Sequence, residues 1–115
     1  MTDLELLDRQ CRETFARLAI PCAYRIEKID EDIPPLPFAR YWFTGESLTG
    51  SDACVGIRRL SLNIELITRT KRFDLENEIE KEFESFEARK DETYDTSDEV
   101  FVETFTFDVI QKIRR

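Results

Sequence analysis

The spacing of hydrophobic and polar positions changes several times along the chain. Residues 2–18 repeat apolar side chains at helical spacing and predict an amphipathic helix. A short alternation over residues 22–28 and an aromatic run over residues 38–43 predict two strands. Residues 57–68 alternate most regularly and predict a third strand with one buried face. The inward positions of this first half are Leu4, Leu7, Cys11, Phe15, Leu18, Leu60, Leu62, Ile64 and Leu66.

The second half of the chain predicts one more helix and one more long strand. Residues 73–88 carry apolar side chains at steps of four, four and three, which is typical of a helix with one buried stripe. Residues 89–97 are polar and can be extended, and residues 99–110 alternate as a strand. The inward positions here are Leu75, Ile79, Phe83, Phe86, Phe101, Phe105, Phe107 and Val109.

Two stretches show neither helical spacing nor strand alternation, and they predict irregular structure. Residues 29–37 hold three prolines and form a connector between the first two strands. Residues 44–56 contain Gly45, Gly50 and Gly56 and predict a long loop that projects from the body. Loops of this length in compact domains are usually functional or disordered.

This order of elements predicts an α+β fold in a single domain over residues 1–115. Helices over a mostly antiparallel sheet, with both helices packed on one face, bury the apolar stripes most simply. A chain of 115 residues can bury enough surface to fold without metals or disulfides. The helix residues expected to be buried against the sheet are Leu7, Cys11, Phe15, Leu75, Ile79 and Phe83.

Composition excludes several classes of function. The formal net charge of −8 argues against a nucleic-acid-binding protein, which needs clustered Lys and Arg. Cys11, Cys22 and Cys54 lack CxxC spacing and the chain has no His, so they predict neither a zinc site nor a Cys–His nucleophile. They are typical of small apolar filler in a reducing compartment. We therefore predict no catalytic residues, no cofactor and no metal.

Charge is divided unevenly along the chain. Residues 74–108 hold 14 acidic and three basic residues, whereas the remaining 80 residues hold 11 acidic and 14 basic ones. The glutamates of the second helix lie opposite its apolar stripe, so we expect them to be solvated rather than to form a metal or acid–base site. The basic residues around the third strand fit two interpretations equally well: ordinary charges at the ends of a strand, or a positive edge that meets the acidic helix of a neighbouring copy in a head-to-tail contact. The residues predicted for such an oligomer interface are Leu48, Val55, Arg58, Arg69, Arg72, Glu76 and Glu80.

Five motifs in this order resemble one known family. The family has an "L-x-I-P-V-x-Y" style first strand, matched here by residues 18–24, and a Pro-Pro connector into an aromatic strand, matched by residues 34–43. It also has a "Y-R-I-E-L-Y-T" type ending of the central strand, matched by residues 59–68, an "E-x-x-I-E-x-x-F" helix, matched by 76–83, and an "x-E-x-F-x-F-x-V" strand, matched by 102–109. Together they resemble the tail-terminator and tail-to-head joining proteins of long-tailed bacteriophages and prophages. The chain departs from the pattern at Ile67, where an aromatic residue is usual, and in having few aromatic residues in the loop before Gly56.

The resemblance implies a structural protein without enzymatic activity. Members of the family form a ring, expected here to be a hexamer, which caps the tail tube and later contacts the head-completion or connector protein. The protein would be made in the host cytoplasm and end in the virion tail. DNA passes through such a ring without specific binding, which agrees with an acidic surface.

Two other classes of function stay open from the sequence. The acidic block between Glu76 and Asp108 also suits a decoy that mimics DNA and inhibits a nuclease or a regulator. An enzyme that holds a divalent metal on the acidic helix is the other alternative.

Overall fold

The computed structural model describes residues 4–24, 36–49 and 55–114, with the backbone alone for residues 46–49, 55–58 and 111–114. Two helices and five strands lie within these ranges. In chain order they are α1 (Leu4–Arg17), β1 (Cys22–Tyr24), β2 (Phe38–Thr49), β3 (Val55–Thr68), α2 (Phe73–Glu82), β4 (Ala88–Asp95) and β5 (Val100–Arg114).

All five strands belong to one sheet, in the order β1-β2-β3-β5-β4. The short strand β1 is parallel to β2, and the other three pairs are antiparallel. The strand that comes last in sequence, β5, therefore lies between β3 and β4. The predicted α+β class with a mostly antiparallel sheet is confirmed.

Both helices pack on the same face of the sheet and enclose the main core. The inward residues of α1 and α2 belong to one buried cluster with alternate residues of β2, β3 and β5. The six helix residues predicted to be buried, Leu7, Cys11, Phe15, Leu75, Ile79 and Phe83, are each at most 6% exposed. Within this cluster the ring centres of Phe83 and Phe107 are 5.1 Å apart, so the end of α2 packs directly on β5.

The end of α1 shows how local sequence sets the path into the sheet. Ala19 has a φ of 58°, a left-handed conformation more often taken by glycine at this position after a helix. The amide of Ile20 then donates to the carbonyl of Phe15, over 2.8 Å, and closes the last turn. The carbonyl of Pro21 accepts from Ala39, so the chain enters β1 already beside β2.

The opposite face of the sheet carries a second, smaller apolar cluster. Phe38, Ile67 and Val100 are buried there, with partly buried Leu36 and Val102 packed against them. This arrangement explains why the aromatic strand is apolar on both faces, since alternate residues of β2 serve two different clusters.

The second helix is shorter than its sequence predicts. The prediction that it runs through residues 73–88 is wrong, because α2 ends at Glu82 and β4 begins at Ala88. The amide of Glu84 donates to the carbonyl of Lys81, and that of Phe86 donates to Phe83, so the chain turns tightly here. Phe86 still packs against the main core, but from this turn rather than from a helix.

The predicted loop over residues 44–56 is also mostly wrong. Strand β2 continues to Thr49 and β3 starts at Val55, while the remainder of that stretch lies outside the described residues. The pairing register shifts between Thr44 and Ser47, and Gly45 adopts a φ of 71° at this bulge. A glycine that suggested a loop instead allows the strand to kink and continue, because it takes the left-handed conformation without steric cost.

Candidate interaction surface

At one end the sheet narrows to a three-stranded extension, which we call the arm: residues 44–49 of β2, 55–61 of β3 and 108–114 of β5. Within the residues that the structure describes, β1 pairs with β2 as far as Tyr41, and β4 begins at Ala88, opposite Phe107. Pairing between β3 and β5 nevertheless continues to the pair of Val55 and Arg114. The molecule is accordingly elongated, with principal dimensions of 51 × 26 × 21 Å.

A cluster of ionic side chains lies at the other end of the sheet, between α2 and the β4–β5 pair. We call it the lysine cluster, and its members are Lys71, Lys90, Glu76, Glu80, Glu92 and Glu103. Lys71 donates to Glu76, Glu92 and Glu103. Lys90 Nζ is 2.7 Å from Glu76 Oε1 and 3.0 Å from Glu80 Oε1. Two lysines thus hold four carboxyl groups from three elements together.

Two of these carboxyl groups are buried. Glu76 and Glu103 are each 1% exposed, although both carry an ionisable group. The buried Oε2 of Glu103 has no hydrogen-bond partner in the described part of the chain. Taking a carboxylate out of water is costly unless a cation and hydrogen bonds compensate, so the two buried glutamates depend on Lys71 and Lys90.

Burial and mutual repulsion shift the pKa values of the cluster. Burial raises the pKa of Glu103, the hydrogen bond with Glu92 raises it further, and Lys71 opposes both effects. Burial alone would lower the pKa of Lys71, but its hydrogen bonds to the carboxyl groups outweigh that effect and raise the pKa. The cluster therefore favours a charged Lys71 and a Glu103 that accepts a proton more readily than an exposed glutamate.

The raised pKa of Glu103 can be tested by measuring stability as a function of pH. Glutamine resembles a protonated glutamic acid, so Glu103→Gln removes the cost of burying an ionised carboxylate. Since the pKa of Glu103 is raised above its ordinary value of 4.5, wild-type protein recovers that cost as it takes up the proton. We therefore expect the free energy of unfolding of wild type to increase relative to that of Glu103→Gln as pH falls from 7 to about 4.5.

Urea unfolding at steps of pH measures this difference. Glu84→Gln, which removes an exposed carboxyl group outside the cluster, is the matched control for the general effect of losing one negative charge. A difference between Glu103→Gln and wild type that stays constant over this pH range would contradict the shifted titration.

The cluster overturns part of the predicted oligomer interface. Glu76 was expected on a solvated helix face, but it is buried and held by Lys71 and Lys90. The prediction is wrong because the first turn of α2 lies over β4 and β5, where two lysines make burial of a glutamate possible. Glu80 is exposed, but its carboxylate pairs with Lys90 of the same chain.

The other predicted interface residues are placed differently from one another. Arg72 forms two hydrogen bonds to Asp74, 3.0 and 2.9 Å long, at the start of α2. Arg69 is exposed and has no ion pair with the residues that the structure describes. Leu48, Val55 and Arg58 lie on arm strands whose backbone alone is described. Of these seven residues, the structure brings Glu76 and Glu80 together at Lys90.

Arg69 instead lines a small cleft on the sheet face opposite the helices. The cleft has a volume of about 180 Å³, with the second apolar cluster as its floor. The ion pair of Arg40 and Glu65, 2.6 Å between Nη2 and Oε1, forms one wall. Asp95 and Asp98 lie at the rim, and Asp95 Oδ1 accepts from the amides of Ser97 and Asp98.

The most continuous acidic surface is the outer edge of the sheet, not α2. Residues 84–99 hold seven acidic and two basic residues. All eight residues of β4 are exposed or nearly so, and six of the seven acidic residues in the stretch are exposed. A charged edge strand of this kind discourages indiscriminate pairing with other strands.

One signal in the sequence could have located the lysine cluster. Glu103 stands between Phe101 and Phe105 at a position where alternation of β5 directs a side chain toward the helices. An acidic residue on an inward strand position requires a cationic partner. Lys71 and Lys90 are distant in sequence, so the identity of those partners depends on the pairing of β4 with β5.

Comparison with known protein families finds none that matches this chain, and no curated protein matches it either. In the described residues, no group of three or more His, Cys, Asp or Glu side chains is arranged to hold a metal ion. No helix within the same residues is both long and apolar enough to span a membrane.

Proposed function

We propose that this chain is a structural, ring-forming component of a long-tailed phage or prophage tail, acting as a tail terminator or tail-to-head joining protein. The observation that carries the proposal is the arm, in which β3 and β5 go on pairing for several residues beyond the end of β4. A domain that needs only its own core has little use for strands that extend past the edge strand β4, whereas an assembly protein can pair or pack them against a neighbour.

The charge distribution supports the same proposal. An acidic strip along β4 and the turn after it lies at one edge of the sheet, and the basic residues of the arm lie at the other end. Different surfaces of opposite sign suit a heterologous contact, which closes into a ring when the rotation between copies permits. Exposed charges add little affinity, so they would mainly set orientation and association rate.

The structure changes which residues we propose for the ring contact. Arg69 keeps its role, because it is an exposed cation beside an apolar cleft. The acidic partner surface becomes the β4 edge in place of α2, since Glu76 is buried and Glu80 is paired within its own chain. The partners of the ring remain the tail tube protein and a head-completion or connector protein, first in the host cytoplasm and then in the virion.

Removing the gene from the phage or prophage that carries it tests the function. We expect tails that exceed their normal length and fail to join heads, because a terminator stops tube growth and provides the head-binding end. Electron micrographs of the lysate measure tail length and the fraction of joined particles. Supplying the wild-type chain from a plasmid should restore both. Tails of normal length joined to heads in the absence of the gene would contradict the proposal.

A second candidate function is an acidic decoy that mimics DNA. The observation that favours it is the exposed strip over residues 84–99, where negative charges follow an extended strand. A decoy would compete with DNA for a nuclease or regulator, and its affinity would fall as salt rises. Tails that are normal without the chain, combined with salt-dependent competition against DNA, would favour this alternative.

A further inference from the structure

Strand β5 is longer than the strand that pairs with its outer side. Its first half, Val100 to Phe107, pairs with β4, and the amide of Asp108 donates to the carbonyl of Glu87 over 2.9 Å. From residue 109 to residue 114 no strand in the described ranges continues along this side. We call this open edge of β5 the notch.

The hydrogen bond of Asp108 fixes which backbone groups face the notch. Amide and carbonyl groups of successive residues in a strand point alternately to its two neighbours. Because Asp108 faces β4, the backbone of Ile110, Lys112 and Arg114 also faces the outer side, and that of residues 111 and 113 faces β3. The notch thus presents three residues whose amides and carbonyls can bond another strand.

The outer side of β4 offers a matching set of groups. Arg89 is paired with Thr106, so the backbone of residues 89, 91, 93 and 95 faces β5. The amides and carbonyls of Lys90, Glu92 and Tyr94 then face away from the sheet. Strand β4 has eight residues and the notch has six, so the two edges are similar in length.

Symmetry makes these two edges complementary. Strand β4 lies beside the first half of β5, and the notch lies beside the second half. A rotation by 180° about an axis perpendicular to the sheet therefore brings β4 of each copy alongside the notch of the other. Both contacts form at once, and each β4 is parallel to the β5 of the second copy. A two-fold contact of this kind uses the same surface on both copies.

Charge favours a second copy as the occupant of the notch. Residues 109–115 hold three basic residues and no acidic ones, whereas the stretch of residues 84–99 that contains β4 holds seven acidic and two basic residues. Copies related by the two-fold axis place these stretches side by side twice. Opposite charge at an open strand edge selects this pairing over pairing of two like edges.

We propose that free copies of this chain form a two-fold dimer in which β4 of each copy adds to the notch of the other and the two sheets become one. This goes beyond the proposed ring, because a two-fold contact is closed and cannot by itself propagate around a ring. The dimer occupies the outer edge of the arm. It would have to open before that edge could take part in a contact with the tail.

Residue-resolved hydrogen exchange at several protein concentrations tests the dimer directly. The amides of residues 111 and 113 bond β3 within the chain and should be protected at every concentration. The amides of Ile110, Lys112 and Arg114 should become at least about tenfold more protected as concentration rises, as should those of Lys90, Glu92 and Tyr94. Sedimentation equilibrium should show mass rising from 13.6 kDa to twice that value over the same range.

A matched pair of variants separates backbone pairing from charge. Lys112→Pro removes one amide that faces the notch, whereas Lys112→Ala keeps the amide and removes the charge. We expect Lys112→Pro to be monomeric where wild type is dimeric, and Lys112→Ala to weaken the dimer by less than about tenfold. Circular dichroism and thermal unfolding at low concentration check that the Lys112→Pro monomer is folded.

Three outcomes would overturn the dimer. The first is a mass of one chain up to the highest soluble concentration. The second is protection of Ile110 and Lys112 that does not change with concentration, which would mean that a segment of the same chain occupies the notch. The third is a dimer that survives Lys112→Pro with its notch amides unprotected. None of these outcomes bears on tail length in the gene-removal experiment, so the dimer and the proposed function fail separately.

Discussion

Replacing Lys71 with methionine is expected to lower the free energy of unfolding by about 3 kcal/mol. The substitution keeps an unbranched side chain of similar length but removes the cation that Glu76, Glu92 and Glu103 share. Glu103 is buried and loses its cationic partner, which is the costly way to break a buried ion pair. Lys90 still neutralises Glu76, so the loss stays near the lower end of the range for buried pairs.

The neighbouring residue provides the control. Arg72→Met also removes a cation, but Arg72 pairs with exposed Asp74 at the surface, so we expect a much smaller loss than for Lys71→Met. Urea unfolding at pH 7 measures both variants. Adding Glu103→Gln to Lys71→Met should recover part of the loss, because the buried group is then neutral. Equal losses for Lys71→Met and Arg72→Met would show that the lysine cluster contributes no more than a surface pair.

Replacing Phe83 with alanine is expected to cost about 3–5 kcal/mol, the largest effect of any single substitution proposed for this chain. Its ring is fully buried, contacts Phe107 and lies at the point where α2 ends. Truncation leaves a cavity between the helix and β5 that the surrounding strands can fill only in part. At this cost, much of the total stability of a domain of this size is lost.

The phenylalanine at the start of α2 controls for the residue type. Phe73 is 65% exposed at the first position of α2, and the ammonium group of Lys71 lies 5.0 Å from the centre of its ring. We expect Phe73→Ala to cost less than about 1 kcal/mol. Thermal unfolding followed by circular dichroism ranks the two variants. A Phe83→Ala protein as stable as Phe73→Ala would mean that α2 does not pack as described.

Periodic burial is the part of this fold that sequence predicts well. Leu75, Ile79 and Phe83 repeat at the helical period, and Leu62 and Ile64 alternate on β3, because both sets face the same core. The sheet class follows from these stripes, since two amphipathic helices and several half-buried strands have few ways to bury them together.

Features that depend on contacts between distant segments are the part that sequence alone predicts poorly. The sequence predicts a loop at Gly45, but the residue forms a bulge because β2 and β3 continue to pair beyond it. The sequence predicts a solvated Glu76, but the residue is buried. Lys71, just before α2, and Lys90, in β4, both pair with its carboxylate and make the burial possible. The interface prediction failed at Glu76 for the same reason. Helical spacing does not show which cations lie under the first turn of α2.

The position of β5 in the sheet has a consequence for how the chain folds as it leaves the ribosome. Strand β5 is synthesised after the other four strands, yet it bridges β3 and β4. Until it emerges, one edge of β3 is unpaired and β4 has no partner in the sheet. Phe105 and Phe107, which belong to the main core together with α2, are also missing. The nascent chain therefore forms a large share of its strand pairing in one late step, and until then it exposes unpaired strand edges to chaperones and to other nascent chains.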